Sequence, residues 1–181
     1  MATFTRLTER PKEHPAPDDK QVYYTSNVLR LFAEDIERRQ NPQILDIGPI
    51  CGENIAFLAR RVKRLCVCDM FLRIDRDRRK GLSPAQVWRH LDYPPQSFDG
   101  ILIWELADRL EEREARRLAE LCYILIKPEG KVVMFVPAGQ SVQQAVSAFV
   151  IGDGFRLTLR PQPHLDLPLR KSQNRNVLWL M

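Results

Sequence analysis

The sequence predicts an α/β protein in which a mostly parallel sheet carries helices on both faces. Short, almost continuous apolar runs alternate with segments whose apolar residues recur at helical spacing, and this alternation is typical of parallel sheets with helical crossovers. The first run breaks at a glycine-containing turn, and the second ends at an acidic residue, Asp69. A buried strand that leads through a glycine turn into a helix is how α/β proteins build a nucleotide-type ligand site.

The start of the chain is predicted to hold an arm and the opening helix. Residues 1–19 carry three prolines among charged residues and show no periodicity, so we expect a flexible N-terminal arm. Residues 20–181 are predicted to form a single domain, as their number suggests. From Lys20 to Arg39 the apolar residues recur at three- and four-residue spacing, which predicts a helix. Asn41-Pro42 ends it, because a residue before proline disfavours helical backbone.

The glycine-containing turn follows the first strand. We predict strands and a helix around it as follows: a strand over Gln43–Ile47, a turn over residues 48–52, a helix from about Glu53 to Arg61 and a second strand over Arg64–Asp69. The helix has apolar residues at i, i+3, i+4 and i+7, so one face is expected to pack on the sheet.

Residues 70–90 are the least regular part of the sequence. A short helical turn is expected near Phe71, and a helix should begin at Ser83-Pro84, with serine as the cap and proline in the first position. The basic run Arg73–Lys80 is interrupted by two aspartates, which favours a solvated loop over a patch for an anionic partner. A third strand is expected to be very short or missing.

The second half continues the alternation. The predicted elements are a strand over Phe98–Trp104, a helix over Glu111–Ile126, a turn over Lys127–Gly130, a strand over Lys131–Val136, a helix over Ser141–Phe149 and strands over Phe155–Leu159 and Asn176–Leu180. No apolar stripe of helix length separates the last two strands. We therefore expect them to form an antiparallel C-terminal pair at the edge of the sheet.

Composition narrows the classes of partner. The chain has 28 Lys and Arg against 23 Asp and Glu, and this net charge of +5 without a continuous basic stripe disfavours nucleic acid. The four cysteines lack zinc spacing, so we expect reduced thiols and no metal site. No apolar run approaches the ~18 residues of a membrane span, and the N-terminus lacks the apolar core of a signal peptide. These features predict a soluble cytoplasmic protein.

Four stretches resemble motifs of class I S-adenosylmethionine-dependent methyltransferases. ILDIGPICG, residues 44–52, resembles the glycine-rich first motif, and CVCDM, residues 66–70, resembles the second. PPQSFDGILIWELADRL, residues 94–110, resembles the family's turn and fourth strand, and LCYILIKPEGKVVMF, residues 121–135, its helix, turn and fifth strand. The resemblance implies a Rossmann-like, doubly wound sheet and S-adenosyl-L-methionine as the cofactor.

The resemblance also implies roles for individual residues. The turn and Asp46 would face the methionine part of the cofactor, Asp69 would hold the ribose hydroxyls, and Trp104 and Glu105 would border the transferred methyl group. The implied cofactor-binding residues are Asp46, Gly48, Pro49, Ile50, Gly52, Asp69, Met70, Asp92 and Trp104. Glu105 is the candidate general base, although methyl transfer depends largely on positioning and needs little help from a base.

One departure from the family pattern leaves two hypotheses open. The middle glycine of the family's turn is Ile50 here, and a β-branched side chain adds bulk and disfavours positive φ. Either the loop runs differently, or cofactor binding is weakened or lost. The first hypothesis is methyl transfer to a small-molecule acceptor, since the residues after the fourth strand lack the signature of base methylation. The alternative is a non-catalytic methyltransferase-fold protein that serves as a binding or assembly subunit.

Overall fold

The computed structural model describes residues 23–135 and 145–170. In these ranges the helices are α1 (Asn27–Glu37), α2 (Gly52–Ala59), α3 (Met70–Arg79), α4 (Pro84–Val87) and α5 (Glu112–Leu125). The strands are β1 (Tyr23–Thr25), β2 (Gln43–Asp46), β3 (Arg64–Val67), β4 (Phe98–Ile103), β5 (Ile126–Met134), β6 (Ser147–Ile151) and β7 (Arg156–Pro161). Short 3-10 turns lie at Trp88–Leu91, Glu105–Arg109 and Asp153–Phe155. The predicted arm and the predicted strand Asn176–Leu180 lie outside the described residues.

The strands form two sheets. The parallel sheet has the order β3-β2-β4-β5, and a separate antiparallel sheet has the order β1-β7-β6. The prediction of an α/β protein with a mostly parallel sheet is therefore confirmed. The chain between β3 and β4, which is described throughout, forms helices and no strand. The direction of the crossovers reverses between β2 and β4, because β3 lies on one side of β2 and β4 on the other.

The core is centred on β4. All six residues of this strand are buried, so the centre of the parallel sheet is covered on both sides. Helix α1 lies close to β4, since a Cβ built on Gly100 would come within 2.6 Å of the Phe32 ring and 3.0 Å of Ile36. Glycine at this position thus allows the helix to approach the strand. The predicted helix over Glu111–Ile126 is present as α5, which buries Ala115, Leu118, Cys122 and Leu125 against the core.

The predicted helix over Ser141–Phe149 is wrong where the structure describes it. Ser147 begins strand β6, which pairs antiparallel with β7 over its whole length. Phe149 and the two β-branched residues that follow it favour a strand, and cross-strand pairing outweighed the helical spacing in this segment. The predicted strand Phe155–Leu159 is present as β7, but it pairs with β6 and β1.

Two further expectations are corrected. The opening helix begins at Asn27, because Tyr23–Thr25 pair with β7 as a strand and Ser26 caps the helix. The basic run Arg73–Lys80 is not a loop: it lies in α3 and its C-cap. Its two aspartates are buried within the protein, where Asp75 pairs with Arg79 at 3.0 Å and Asp77 with His90 at 3.1 Å. They are therefore not the exposed charges of a solvated loop.

Candidate functional site

The carboxyl ends of the four parallel strands meet at one edge of the sheet. Backbone hydrogen bonds continue past the strand ends, from Ile47 to Leu102, from Cys68 to Asp46 and from Phe135 to Ile103. The crossover reversal between β2 and β4 lies at this edge. In open α/β sheets, ligands bind in the crevice beside such a reversal. The residues after β2 and β4 are therefore the ones that decide what the crevice can hold.

Asp46 and Trp104 are joined directly across this crevice. The Trp104 indole N–H donates to Asp46 Oδ1 at 2.7 Å, and the Gly48 N–H donates to the same oxygen at 3.0 Å. Asp46 is 2% exposed and Trp104 is 1% exposed. Burial raises the pKa of the Asp46 carboxyl above its ordinary value, and the bonds from Trp104 and Gly48 oppose this rise.

The indole lies on the glycine turn itself. A Cβ built on Gly48 would stand 2.0 Å from Trp104 Cδ1 and 2.3 Å from Nε1. In this arrangement no ligand atom fits between the turn and the indole. The glycine at this position is thus explained by the tryptophan that packs against it.

Two phenylalanines complete an aromatic cluster with Trp104. The Phe135 ring, just after β5, stacks on the indole with centroids 4.7 Å apart, and the Phe149 ring of β6 stacks at 5.6 Å. The two phenylalanine rings are 5.8 Å apart. Stacked pairs of this kind add about 0.5–1.5 kcal/mol each beyond the burial of their area. The crevice between β2 and β4 is therefore filled by the protein's own side chains.

Asp69 links the glycine turn to helix α3. Its Oδ2 accepts from the Ile50 N–H at 3.0 Å, and its Oδ1 accepts from the Leu72 N–H at 2.8 Å as the N-cap of α3. The Ile50 side chain is 62% exposed, so it points away from the crevice. None of residues 48–52 has a positive φ. The loop therefore runs in ordinary backbone conformations that tolerate isoleucine in the middle position.

Strand β6 lies beside the crevice, where its Phe149 stacks on the Trp104 indole, and it is held there by Asn54. The buried Asn54 amide donates from Nδ2 to the Phe149 carbonyl at 2.7 Å and accepts at Oδ1 from the Ile151 N–H at 2.8 Å. This side chain thus satisfies the edge of β6 as a neighbouring strand would. The start of α2 and the antiparallel sheet are fixed to each other by this contact.

Glu105 forms a buried ion pair with Arg109. Glu105 Oε1 accepts from Arg109 Nε at 3.1 Å, from Arg109 Nη2 at 2.8 Å and from the Ser147 N–H at 3.1 Å. Arg109 also donates to the carbonyls of Leu167 and Ala145. Burial raises the pKa of Glu105, and the neighbouring Arg109 opposes this rise. The carboxylate is engaged in holding β6 and the later chain, which disfavours its use as a general base.

The remaining predicted cofactor residues are dispersed. Met70 is wholly buried in the core, and Pro49 is buried beside the turn. Gly52 begins α2, and a Cβ built there would meet nothing within 4 Å. Asp92 is exposed and lines a different cavity, beside α5. The structure brings Asp46, Gly48 and Trp104 together, and separately Asp69 and Ile50. Their assignment to a cofactor stays a prediction.

Sequence reasoning missed Asn54, Arg109 and Phe149. Asn54 is a polar residue beside the apolar stripe of α2, and helical periodicity assigns such a residue no role. Arg109 follows Glu105 by four residues, a spacing that predicts a helical ion pair but not its burial. The sequence predicts a helix at Phe149, which gives no reason to expect the contact of this residue with Trp104.

Comparison of the chain with protein-family models, with curated proteins and with solved structures gives no match in any of the three.

Within the described residues, no group of three or more His, Cys, Asp and Glu side chains could hold a metal ion. All four cysteines are free thiols. None of the described helices is both long enough and apolar enough to cross a membrane.

The packing of Gly48 against Trp104 predicts an energetic coupling between the two positions. Gly48→Ala should lower the free energy of unfolding by about 3 kcal/mol, because its methyl group would overlap the indole. In a Trp104→Leu background the same change should cost less than about 1 kcal/mol, since the smaller side chain can turn away. Urea denaturation of the four proteins measures this coupling. Equal costs in both backgrounds would show that Gly48 is required for another reason.

The raised pKa of Asp46 predicts a pH dependence of stability. A carboxyl that binds its proton more tightly in the folded state stabilises the fold at low pH, and this contribution is lost as the pH rises through the folded pKa. Asp46→Asn removes the titration, so the variant should gain stability relative to the original protein as the pH rises above the ordinary pKa of an aspartate. The Glu105 carboxyl titrates in both proteins, so its contribution cancels from the difference in stability between them. A difference that does not change with pH would contradict the raised pKa of Asp46.

Proposed function

We propose that this chain is a non-catalytic member of the class I methyltransferase fold, with a Rossmann-like sheet, and that it acts as a binding or assembly subunit. The observation that carries the proposal is the position of the Trp104 indole, which rests on Gly48 and donates to Asp46. By the resemblance, this is where the methionine part of the cofactor would lie.

The groups that a cofactor would need at this edge are engaged within the protein. Asp46 accepts from Trp104 and Gly48, Asp69 accepts from two backbone N–H groups, and Glu105 is paired with Arg109. A ligand would have to break the indole hydrogen bond and separate the stacked rings. Its apparent affinity would fall in proportion to the small fraction of molecules in which the crevice is open.

Methyl transfer to a small-molecule acceptor is the second candidate function. It is favoured by the open space in front of Gly52 and by the half-buried carboxylate of Asp69 beside the turn. The resemblance implies that a carboxylate in the position of Asp69 would hold the ribose hydroxyls of the cofactor. The candidate requires Trp104 to leave the crevice, and Glu105 would not act as its base while paired with Arg109. A cytoplasmic location remains a prediction for both candidates.

Calorimetric titration separates the two functions. With S-adenosylmethionine or S-adenosylhomocysteine at up to about 1 mM, we expect no saturable heat from the original protein, because filling the crevice excludes the methionine part. Circular dichroism before and after the titration shows that the protein is folded.

Binding in the micromolar range would contradict the non-catalytic proposal. The methyltransferase candidate would then be supported if Asp69→Ala weakened binding while Asp153→Ala left it unchanged. Asp153 is a suitable control because it is exposed in the 3-10 turn before β7.

A further inference from the structure

A groove of about 1020 Å³ lies between helix α5 and the segment formed by α4 and the 3-10 turn Trp88–Leu91. Neither Asp46 nor Trp104 lines it, so it is distinct from the crevice at the strand ends. The floor includes the buried side chains of Leu91 and Leu125. The groove follows α5 from its N-cap to its last turn.

The groove is charged along one half of α5 and apolar along the other. Every α5 side chain that lines it between Glu111 and Glu120 is charged. Leu121, Ile124 and Leu125 line the remaining half, and Trp88 contributes to the opposite wall. Ile124 is 43% exposed in the structure. An apolar side chain in a concave surface is a suitable contact for another apolar segment.

The described chain ends at the charged end of this groove. The Arg170 N–H donates to the Asp108 carbonyl at 2.8 Å, and the Arg170 guanidinium pairs with Glu111 at 3.2 Å. Glu111 is itself part of the groove lining. The described part of the chain therefore ends next to the groove.

The following eleven residues have the same order of polarity as the groove. Residues 171–176 are polar, with Lys171 and Arg175 as their charges, and residues 177–181 read VLWLM. Seven extended residues from Arg170 reach about 23 Å. Along α5, Leu121 lies only about 15 Å beyond Glu111. The apolar residues can thus reach the apolar half of the groove while the polar ones pass its charged half.

We propose that residues 171–181 dock in this groove, with the apolar residues from Val177 to Met181 against Ile124 and Trp88. Lys171 and Arg175 then pass the charged half of the groove, which three glutamates and three arginines of α5 line, and Glu111 there already pairs with Arg170. Docking removes residues 177–181 from water, and it also covers the exposed part of the Ile124 side chain. The proposal is independent of whether the crevice at the strand ends binds a cofactor.

Limited trypsin digestion of the full chain tests the docking. The measurement is the initial rate of cleavage after Arg175, followed by mass spectrometry and compared with a synthetic peptide of residues 171–181. We expect the full chain to be cut at least about tenfold more slowly than the peptide, because a docked segment must open before it is cleaved. Ile124→Glu places a charge in the apolar half and should bring the rate to within about twofold of the peptide.

Tyr123→Glu is the matched control. Tyr123 is the neighbouring residue on α5, is 75% exposed and does not line the groove, so this variant should be cut as slowly as the original protein. Trp179→Ser should accelerate cleavage as Ile124→Glu does, and the double variant should show no further increase. Peptide-like cleavage of the original chain, or equal rates for the two α5 variants, would overturn the proposal. The proposal would also be overturned if light scattering showed a dimer and Ile124→Glu dissociated this dimer without changing the cleavage rate.

Discussion

The hydrogen bond from the Trp104 indole to the buried Asp46 carboxylate determines how the edge of the parallel sheet is built. Asp46 is buried at the end of β2, and a buried carboxylate without donors would be costly. The indole supplies one donor and the Gly48 backbone a second. To reach Asp46 the indole must lie against the turn, and only a glycine at residue 48 leaves room for it there. The ligand crevice typical of such sheets is filled as a consequence.

The rest of the structure holds this arrangement in place. Strand β6 brings Phe149 onto the indole, and it is fixed at three points by the Asn54 amide and the Glu105 carboxylate. The buried Arg109 adds hydrogen bonds to the carbonyls of residues 145 and 167. Removing one partner of a buried pair typically costs 3–5 kcal/mol, because the other charge is left without compensation. The antiparallel sheet is thus positioned by polar contacts to the residues that follow β2 and β4.

The sequence was sufficient to predict the parallel sheet but not the way in which its edge is closed. Local signals were strong where a strand is buried throughout, as in β4, or where one face of a helix is buried, as in α5, and these elements were confirmed. The helix predicted near Phe149 failed because this segment pairs with β7, the next strand along the chain, and the helical spacing of its apolar residues gives no sign of that pairing. Asp46, Gly48 and Trp104 were predicted as cofactor-binding residues, and the structure places them in contact with one another. Their direct contact depends on side-chain packing, which a family motif does not specify.

Exchange of the Trp104 indole proton with solvent, followed by NMR, tests the central claim most directly. The chain has three tryptophans, and a Trp104→Phe variant assigns the resonance. We expect this proton to be protected from exchange and its chemical shift to stay unchanged when S-adenosylmethionine is added at about 1 mM, because the indole donates to Asp46 inside a filled crevice. Rapid exchange, or a shift that saturates with the cofactor, would show that the crevice opens and would contradict the account.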